Sequence, residues 1–198
     1  MSKRGRLILV RHGESESNLA RSFSASPDIS LTPKGIAQAY EVARRIKTRF
    51  TPEAVLSSHF RRAHQTAQII GAELNLPVEI VDAIHERDLG VLRGHSYDAL
   101  REFVKQAPDY DPNRGWLWRP ENGESYEDVR IRITAAFDLL RQRFPEHEVV
   151  VVSHGGVMLA MWAHLTGQWR GAHLPGNCGI VLVEHEGEGF LPPQVIDD

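Results

Sequence analysis

An arginine and a histidine directly follow a short apolar run near the start of the chain. Residues 7–10 read Leu-Ile-Leu-Val and lead into Arg11, His12 and Gly13. Four apolar, mostly branched residues are too few for a buried helix and are typical of a buried strand. A cation and an imidazole are therefore expected at the carboxyl end of a strand, where open α/β sheets bind their ligands.

The same pattern occurs again late in the chain. Residues 149–152 are four valines, and Ser153, His154 and two glycines follow them. A single histidine at a strand end is commonly structural, but two strands that both end in His-Gly can bring two imidazoles to one site. Glycines at such positions also let the backbone approach a ligand closely. The repeated pattern therefore favours a shared site with imidazole chemistry.

Five blocks of this sequence resemble the histidine phosphatase superfamily, in its phosphoglycerate mutase-like branch. They occur in the family's order between residue 7 and about residue 160, at residues 11–18, 57–67, 86–94, 123–125 and 153–156. The first block carries Arg-His-Gly-Glu-Ser and Asn18, and the second carries Arg-Ala-x-Gln-Thr-Ala. Arg-His-Gly alone would be weak support, whereas five blocks in order are strong support.

The resemblance implies a phosphatase that acts on a small phosphate monoester through a phosphohistidine. His12 is the expected nucleophile, because neutral imidazole can attack phosphorus through one nitrogen while the other donates a hydrogen bond. Arg11 and Arg62 are expected to bind the phosphate, since guanidinium matches its oxygens in a bidentate fork. The register of the second block selects Arg62 over Arg61. His154 is expected to donate a hydrogen bond to the phosphoryl group.

The same resemblance identifies Glu86 as the general acid, and then as the base toward the attacking water. It begins a Glu-x-x-x-Gly-x-x-x-Gly frame that ends at Gly94. Asp88 is the nearest competing carboxylate. Asn18 and Ser24 are expected as neutral donors to the phosphate, although hydrogen bonding within turns is an equally ordinary role for such residues.

Several positions depart from the family's mutases. His59 lies where these proteins often carry an acidic residue, and Ala25-Ser26 replaces their Gly-Trp. Residues 86–90 read Glu-Arg-Asp-Leu-Gly, whereas the mutases have Glu-Arg-His-Tyr-Gly, and the longer mutase insert is absent. These differences favour hydrolysis. Two alternatives remain, namely a 2,3-bisphosphoglycerate-dependent phosphoglycerate mutase and a catalytically idle binding protein on the same scaffold.

Composition narrows the class of partner. A net charge of −3 over 198 residues gives no support for a nucleic acid or an anionic membrane surface. A small phosphorylated substrate is therefore the expected partner, and the oligomeric state is left open. The ten histidines show no zinc-protease or paired Cys/His spacing, so neither a metal nor another cofactor is expected. The single cysteine, Cys178, and the lack of a signal-peptide core predict a cytoplasmic protein.

Strand and helix signals alternate along the chain, which predicts one α/β domain over residues 1–198. The expected architecture is a three-layer sandwich with a mostly parallel sheet and helices on both faces. Strands are expected at 7–10, 54–57, 78–81, 148–153 and 180–184, and helices at about 33–46, 62–74, 125–140 and 157–165.

Three local expectations accompany this architecture. Ile36, Ala39, Tyr40, Ala43 and Ile46 have helical spacing and predict one apolar face. Residues 107–123 are irregular, and their two tryptophans, Trp116 and Trp118, form either a lid over the substrate or the cover of a core edge. The tail from residue 191 is expected to be loosely held.

Overall fold

A computed structural model describes residues 4–24 and 26–196. Ala25 and the last two residues of the expected loose tail lie outside these ranges. The strands are β1 (Gly5–Arg11), β2 (Ala54–Ser57), β3 (Val78–Ile80), β4 (Glu148–Ser153), β5 (Ile180–Glu186), β6 (Gly189–Phe190) and β7 (Gln194–Ile196). The helices are α1 (Glu16–Leu19), α2 (Pro33–Arg49), α3 (Arg61–Leu74), α4 (Leu100–Gln106), α5 (Tyr126–Arg143) and α6 (Gly155–Thr166). Short 3₁₀ turns occur at Asp82–Ile84, Gly90–Leu92, Tyr97–Ala99 and Gly115–Leu117.

The strands form one sheet in the order β3-β2-β4-β1-β5-β6, and β7 also pairs with β5. Strands β1 to β4 are parallel wherever they pair with one another, whereas β5 runs antiparallel to β1, β6 and β7. In the parallel pair at the centre, Arg11 lies opposite Ser153. The residues that follow these two, His12 and His154, therefore leave the same edge of the sheet side by side.

Helices cover both faces of the sheet, which confirms the predicted α/β class. Alternate residues of β1 point to opposite faces. Leu7 and Leu9 belong to one core together with Phe137 of α5 and Met161 of α6. Ile8 and Val10 belong to the other core, with residues of α2 and α3. Two apolar layers thus hold the central strands rigidly beneath the edge from which the two histidines emerge.

Several helix boundaries follow the signals in the sequence. The Thr32 hydroxyl caps α2 by accepting from the Gly35 amide, and Pro33 occupies the first turn. Ser125 and Asp128 form the expected capping box of α5. The left-handed conformation of Asn75 ends α3. The predicted apolar face of α2 was wrong at two positions, because Ile36 and Tyr40 are 40% and 51% exposed and point away from the sheet.

The prediction of a loosely held tail was also wrong. Residues 194–196 form β7, in which Ile196 pairs with Ile180 of β5. The amide of Leu191 donates to the carbonyl of Glu184 at 2.8 Å. Backbone pairing along the outer edge of β5 therefore fixes a segment whose prolines and polar residues suggested a free end. No helix in the described ranges is long and apolar enough to cross a membrane.

Cys178 is buried between β1 and the start of β5. It is 5% exposed, and burial raises the pKa of its thiol to about 12. A thiol that stays protonated is a poor nucleophile. The structure therefore agrees with the interpretation of Cys178 as a small core residue.

Candidate active site

His12 lies at the centre of the site, immediately after β1, and is 3% exposed. Its Nδ1 is 2.8 Å from the carbonyl oxygen of Gly13. A carbonyl only accepts, so Nδ1 carries the proton and Nε2 is unprotonated. Nε2 accepts a hydrogen bond from Nε of Arg62 at 3.1 Å. Burial, followed by the charge of Arg62, holds the pKa of His12 well below the ordinary histidine value, so the imidazole is neutral.

Arg62 lies in the first turn of α3 and is 2% exposed, whereas Arg61 is exposed. Arg62, and not Arg61, is among the residues that line the cavity at His12. Burial lowers the pKa of Arg62, and the nearby charge of Glu86 opposes that effect. Its Nη1 is buried and has no hydrogen-bond partner among the described residues. A buried guanidinium donor without a partner is costly, so this atom is available to a ligand.

His154 precedes α6 and is fully buried beside His12, with the two ring centroids 5.2 Å apart. Its Nε2 lies 2.9 Å from the hydroxyl oxygen of Ser58. Within the described part of the chain, its Nδ1 has no partner. Burial, together with the charge of Arg62, holds the pKa of His154 well below its usual value. The ring is therefore neutral and can present one N–H to the site.

Arg11 also carries an unpartnered buried donor. Its Nη1 donates to the carbonyl of Pro175 at 2.8 Å, which fixes the guanidinium. Its Nε is buried and has no partner in the described ranges. Arg11, His12 and Arg62 all line one cavity of about 150 Å³. Cationic and neutral N–H donors around an unprotonated imidazole nitrogen are suited to a tetrahedral anion.

Glu86 lies at the same cavity, and two backbone amides hold its carboxylate. Oε1 accepts from the amide of Gly156 at 3.0 Å and from that of Arg87 at 2.8 Å. Gly156 lies in the first turn of α6, where free amides and the helix dipole favour a negative group. A Cβ on Gly156 would overlap Oε1. Glycine at this position is therefore what lets the glutamate reach the helix.

The two glycines that follow Glu86, Gly90 and Gly94, determine the conformation of the loop that carries this glutamate. Gly90 has φ +50° and Gly94 has φ +77°, which is the left-handed region that glycine enters most readily. The loop rests on residues 121–124, because the Asp88 amide donates to Glu124 Oε2 at 2.9 Å and the Glu124 amide donates back to the Asp88 carbonyl at 2.8 Å. The Asp88 carboxylate itself binds Arg93, with both oxygens 2.6 Å from Nη2.

Asn18 and Ser24 both line the cavity and also make hydrogen bonds within the protein. The Asn18 Oδ1 accepts from the Ser15 amide at 3.1 Å as part of the capping box of α1, and from Asn177 Nδ2 at 3.2 Å. The Ser24 hydroxyl lies 2.9 Å from that of Ser17. These contacts within turns place both side chains at the cavity. A role in turn hydrogen bonding is therefore compatible with the predicted role as donors to the phosphate.

Two residues of the site were missed by the sequence analysis. Arg87 is 7% exposed, its guanidinium lies 4.1 Å from the ring centre of Tyr126, and its Nε has no partner among the described residues. Its position directly after Glu86 was an available signal. Asn177 donates to the carbonyl of His12 at 3.0 Å. No motif surrounds Asn177, so the sequence offered no signal for it.

The described ranges contain no group of three or more His, Cys, Asp or Glu side chains arranged to hold a metal ion. Independence from metals remains a prediction that the geometry does not test. The donors that surround the cavity are arginine and histidine nitrogens, which suit an anion rather than a cation.

Comparison with known proteins places this arrangement in a class. The family model of the histidine phosphatase superfamily (branch 1) matches residues 7–197, and the chain belongs to that family. The uncharacterized phosphatase PhoE of Bacillus subtilis is 32% identical over 162 residues, with 81% of this chain and 77% of PhoE covered. This membership confirms the resemblance stated from the five sequence blocks.

Other relatives carry both kinds of activity in their names. A 2,3-bisphosphoglycerate-dependent phosphoglycerate mutase of Methylobacterium radiotolerans is 32% identical, with 81% of this chain and 79% of the mutase covered. The solved structure of a mycobacterial glucosyl-3-phosphoglycerate phosphatase superposes with a TM-score of 0.79 at 26% identity, covering 98% of each chain. The family thus supports a phosphatase, and the substrate and detailed mechanism are matters for proposal.

Proposed function

We propose that this protein is a metal-independent phosphatase that hydrolyses small phosphate monoesters through a phosphohistidine at His12. The observation that carries the proposal is a set of buried nitrogens without a partner among the described residues, Arg11 Nε, Arg62 Nη1 and His154 Nδ1, together with the unprotonated Nε2 of His12, which now accepts from Arg62 Nε at 3.1 Å and would exchange that hydrogen bond for phosphorus. A phosphate monoester near neutral pH carries about two negative charges, and these donors would share its oxygens.

In the first step, His12 Nε2 attacks phosphorus and the bond to the ester oxygen breaks. The Nδ1 proton stays on the ring. Its hydrogen bond to the Gly13 carbonyl, at 2.8 Å, stabilises the cationic ring as the N–P bond forms. Arg11, Arg62 and His154 would stabilise the charge on the three remaining phosphoryl oxygens. Protonated Glu86 donates its proton to the departing oxygen, which leaves as an alcohol.

In the second step, water attacks the phosphohistidine and His12 leaves with its Nε2 electron pair restored. Glu86, now a carboxylate, accepts one proton from the water, so the products are inorganic phosphate and the resting enzyme. The amides of Gly156 and Arg87 hold this carboxyl in both steps. A single carboxyl that first gives and then takes a proton is sufficient for the whole cycle.

A mutase is the second candidate, and the Methylobacterium relative favours it. The two activities differ in the fate of the phosphoryl group, since a mutase returns it to a bound glycerate and a phosphatase passes it to water. Incubation with 3-phosphoglycerate and 2,3-bisphosphoglycerate, followed by assay of inorganic phosphate and of 2-phosphoglycerate, separates them. Isomer formation that greatly exceeds phosphate release would replace the phosphatase assignment by the mutase.

The nucleophile is tested by His12→Ala. This variant should lose essentially all phosphate release, while rapid quenching of the wild-type enzyme during turnover should trap acid-labile, base-stable phosphate on the protein. His147→Ala is the matched control, because that histidine is 41% exposed and pairs with Glu53 on the surface. Turnover near the wild-type level in folded His12→Ala would disprove the mechanism, and no phosphate release by wild-type enzyme from any ester would favour the idle binding protein.

A further inference from the structure

We call the cavity of about 150 Å³ at His12 the phosphate cavity. A second cavity, of about 350 Å³, adjoins it and has aromatic walls. Trp116 and Trp169 stack with ring centroids 6.1 Å apart at an interplanar angle of 10°. Tyr110 meets Trp118 edge to face at 5.9 Å. We call this space the aromatic cavity. Trp118 is 8% exposed, whereas Tyr110, Trp116 and Trp169 are half-buried, so these rings form the walls of a recess that is partly open to solvent.

The aromatic cavity and the phosphate cavity share part of their walls. Phe23, Arg87, Tyr126 and Leu159 line both spaces. These four side chains are therefore the boundary that a leaving group would cross when its phosphate binds beside His12. The amide of Arg87 also donates to Glu86 Oε1 at 2.8 Å, so this boundary lies next to the proposed proton donor.

Charge distinguishes the aromatic cavity from another recess beside the site. That polar recess is lined by His59, His85, Asp88 and Arg93, among others. Two of its cations have acidic partners, since Arg93 binds Asp88 at 2.6 Å and His59 lies 3.1 Å from Asp82. Arg62 and Arg87 also line this recess, and each has a buried nitrogen without a partner among the described residues. In the aromatic cavity, Arg87 is the one charged side chain among the lining residues. Apolar walls of this kind favour a ring and disfavour a second anionic group.

We propose that the aromatic cavity binds the leaving group of the substrate, and that the preferred substrates are phosphate monoesters of alcohols that carry a flat aromatic ring. The inference rests on the proposed phosphatase function. The ring would lie against Trp116 and Trp169, and the Arg87 guanidinium would contact it by a cation–π interaction like the one it makes with Tyr126 at 4.1 Å.

The test compares esters whose leaving alkoxides have similar basicity, namely benzyl, 2-naphthylmethyl and methyl phosphate. Because the three leaving groups are equally hard to expel, a difference in kcat/KM between the esters reports how well the enzyme binds the ring. We expect the ring esters to exceed methyl phosphate by about tenfold or more. They should also exceed phosphoserine and 3-phosphoglycerate, whose extra charged groups suit the polar recess.

Substitutions in the aromatic cavity test whether this cavity causes the preference for ring esters. Trp116→Ala and the filling variant Ala172→Trp should both reduce the ratio of benzyl to methyl phosphate kcat/KM several-fold. Leu117→Ala is the matched control, since Leu117 belongs to the same short turn, is 39% exposed and does not line the aromatic cavity. It should keep the wild-type ratio. Calorimetry with benzylphosphonate and methylphosphonate gives a readout that needs no turnover, and benzylphosphonate should bind at least about tenfold more tightly.

The outcomes separate this inference from the proposed function. Phosphate release with equal kcat/KM for benzyl and methyl phosphate would overturn the aromatic preference and leave the phosphatase intact. Faster release from phosphoserine or 3-phosphoglycerate would overturn it as well, because the leaving group would then occupy the polar recess. No release from any ester would overturn the proposed function, whereas tighter benzylphosphonate binding, weakened in Trp116→Ala, would still support the ligand cavity.

Discussion

Replacing Gly156 by alanine should remove the proton donor without altering any titratable group. The new Cβ would overlap Glu86 Oε1, the atom that accepts from the Gly156 amide at 3.0 Å. Relief of the overlap to ordinary carbon–oxygen contact requires a movement of about 1 Å. The backbone of α6 is held by the core, so the carboxylate is the part that moves.

The size of the effect follows from that displacement. A misplacement of about 1 Å can cost about 10²-fold in rate, and general acid catalysis as a whole contributes about 10²–10⁴-fold. Gly156→Ala should therefore slow an alkyl phosphate by about 10²-fold, with Glu86→Gln as the upper limit of the loss. Hydrolysis of 4-nitrophenyl phosphate should suffer much less, because nitrophenolate leaves without a proton.

The assay is the pair of kcat/KM values for methyl and 4-nitrophenyl phosphate in Gly156→Ala, Glu86→Gln and the double variant. If the glycine acts through the glutamate, the double variant resembles Glu86→Gln alone. Gly189→Ala is the matched control, since a Cβ there meets nothing within 4 Å. Equal losses on the two substrates, or fully additive losses in the double variant, would refute this reasoning, and Asp88 would then be the next candidate for the proton donor.

Two other predictions concern metals and acidity. Exhaustive chelation should leave phosphate release unchanged, because Arg11, Arg62 and His154 supply the charge stabilisation; a loss restored by a divalent ion would indicate a metallophosphatase instead. The depressed pKa values of His12 and His154 mean that the unfolded chain binds protons that the folded chain does not. Their contribution to stability is thus complete above about pH 6.5 and is lost below it, at about 1.4 kcal/mol per pH unit for each histidine. Urea denaturation between pH 7 and pH 5 measures how the free energy of unfolding changes with pH, and His154→Asn should reduce that slope by about 1.4 kcal/mol per pH unit.

The phosphate-binding half of the site could be predicted because it depends on local patterns. Two apolar runs predicted β1 and β4, and the parallel pairing of Arg11 with Ser153 then brings the following histidines together without any further information. Arg62 was assigned by its register in a motif, and its location in the first turn of a helix was readable from the apolar spacing after it. Each of these signals lies within a few residues of the side chain that it positions.

The remaining contacts depend on segments that are distant in the sequence. Glu86 meets the amide of Gly156 seventy positions away, and Asn177 reaches the carbonyl of His12. Neither pairing has a local pattern. The errors at Ile36 and Tyr40 have the same origin, because helical spacing defines an apolar stripe but not how wide a stripe the neighbouring elements cover. The tail was misjudged since the outer edge of β5, which binds β7, exists only in the folded sheet.

The residues proposed to carry the reaction and the residues proposed to select the substrate lie on different kinds of segment. The proposed nucleophile and phosphate donors come from strand ends and helix starts, which the two core layers fix in place. The aromatic cavity is built instead from the irregular segment around Trp116 and Trp118, from α4 and from Trp169 after α6. Loops on a rigid scaffold vary more freely than the elements that they connect. Members of one family can therefore share the phosphate site and its reaction while differing in the leaving group that they accept, and the leaving-group preference proposed for this chain rests on its aromatic walls, not on its catalytic motifs.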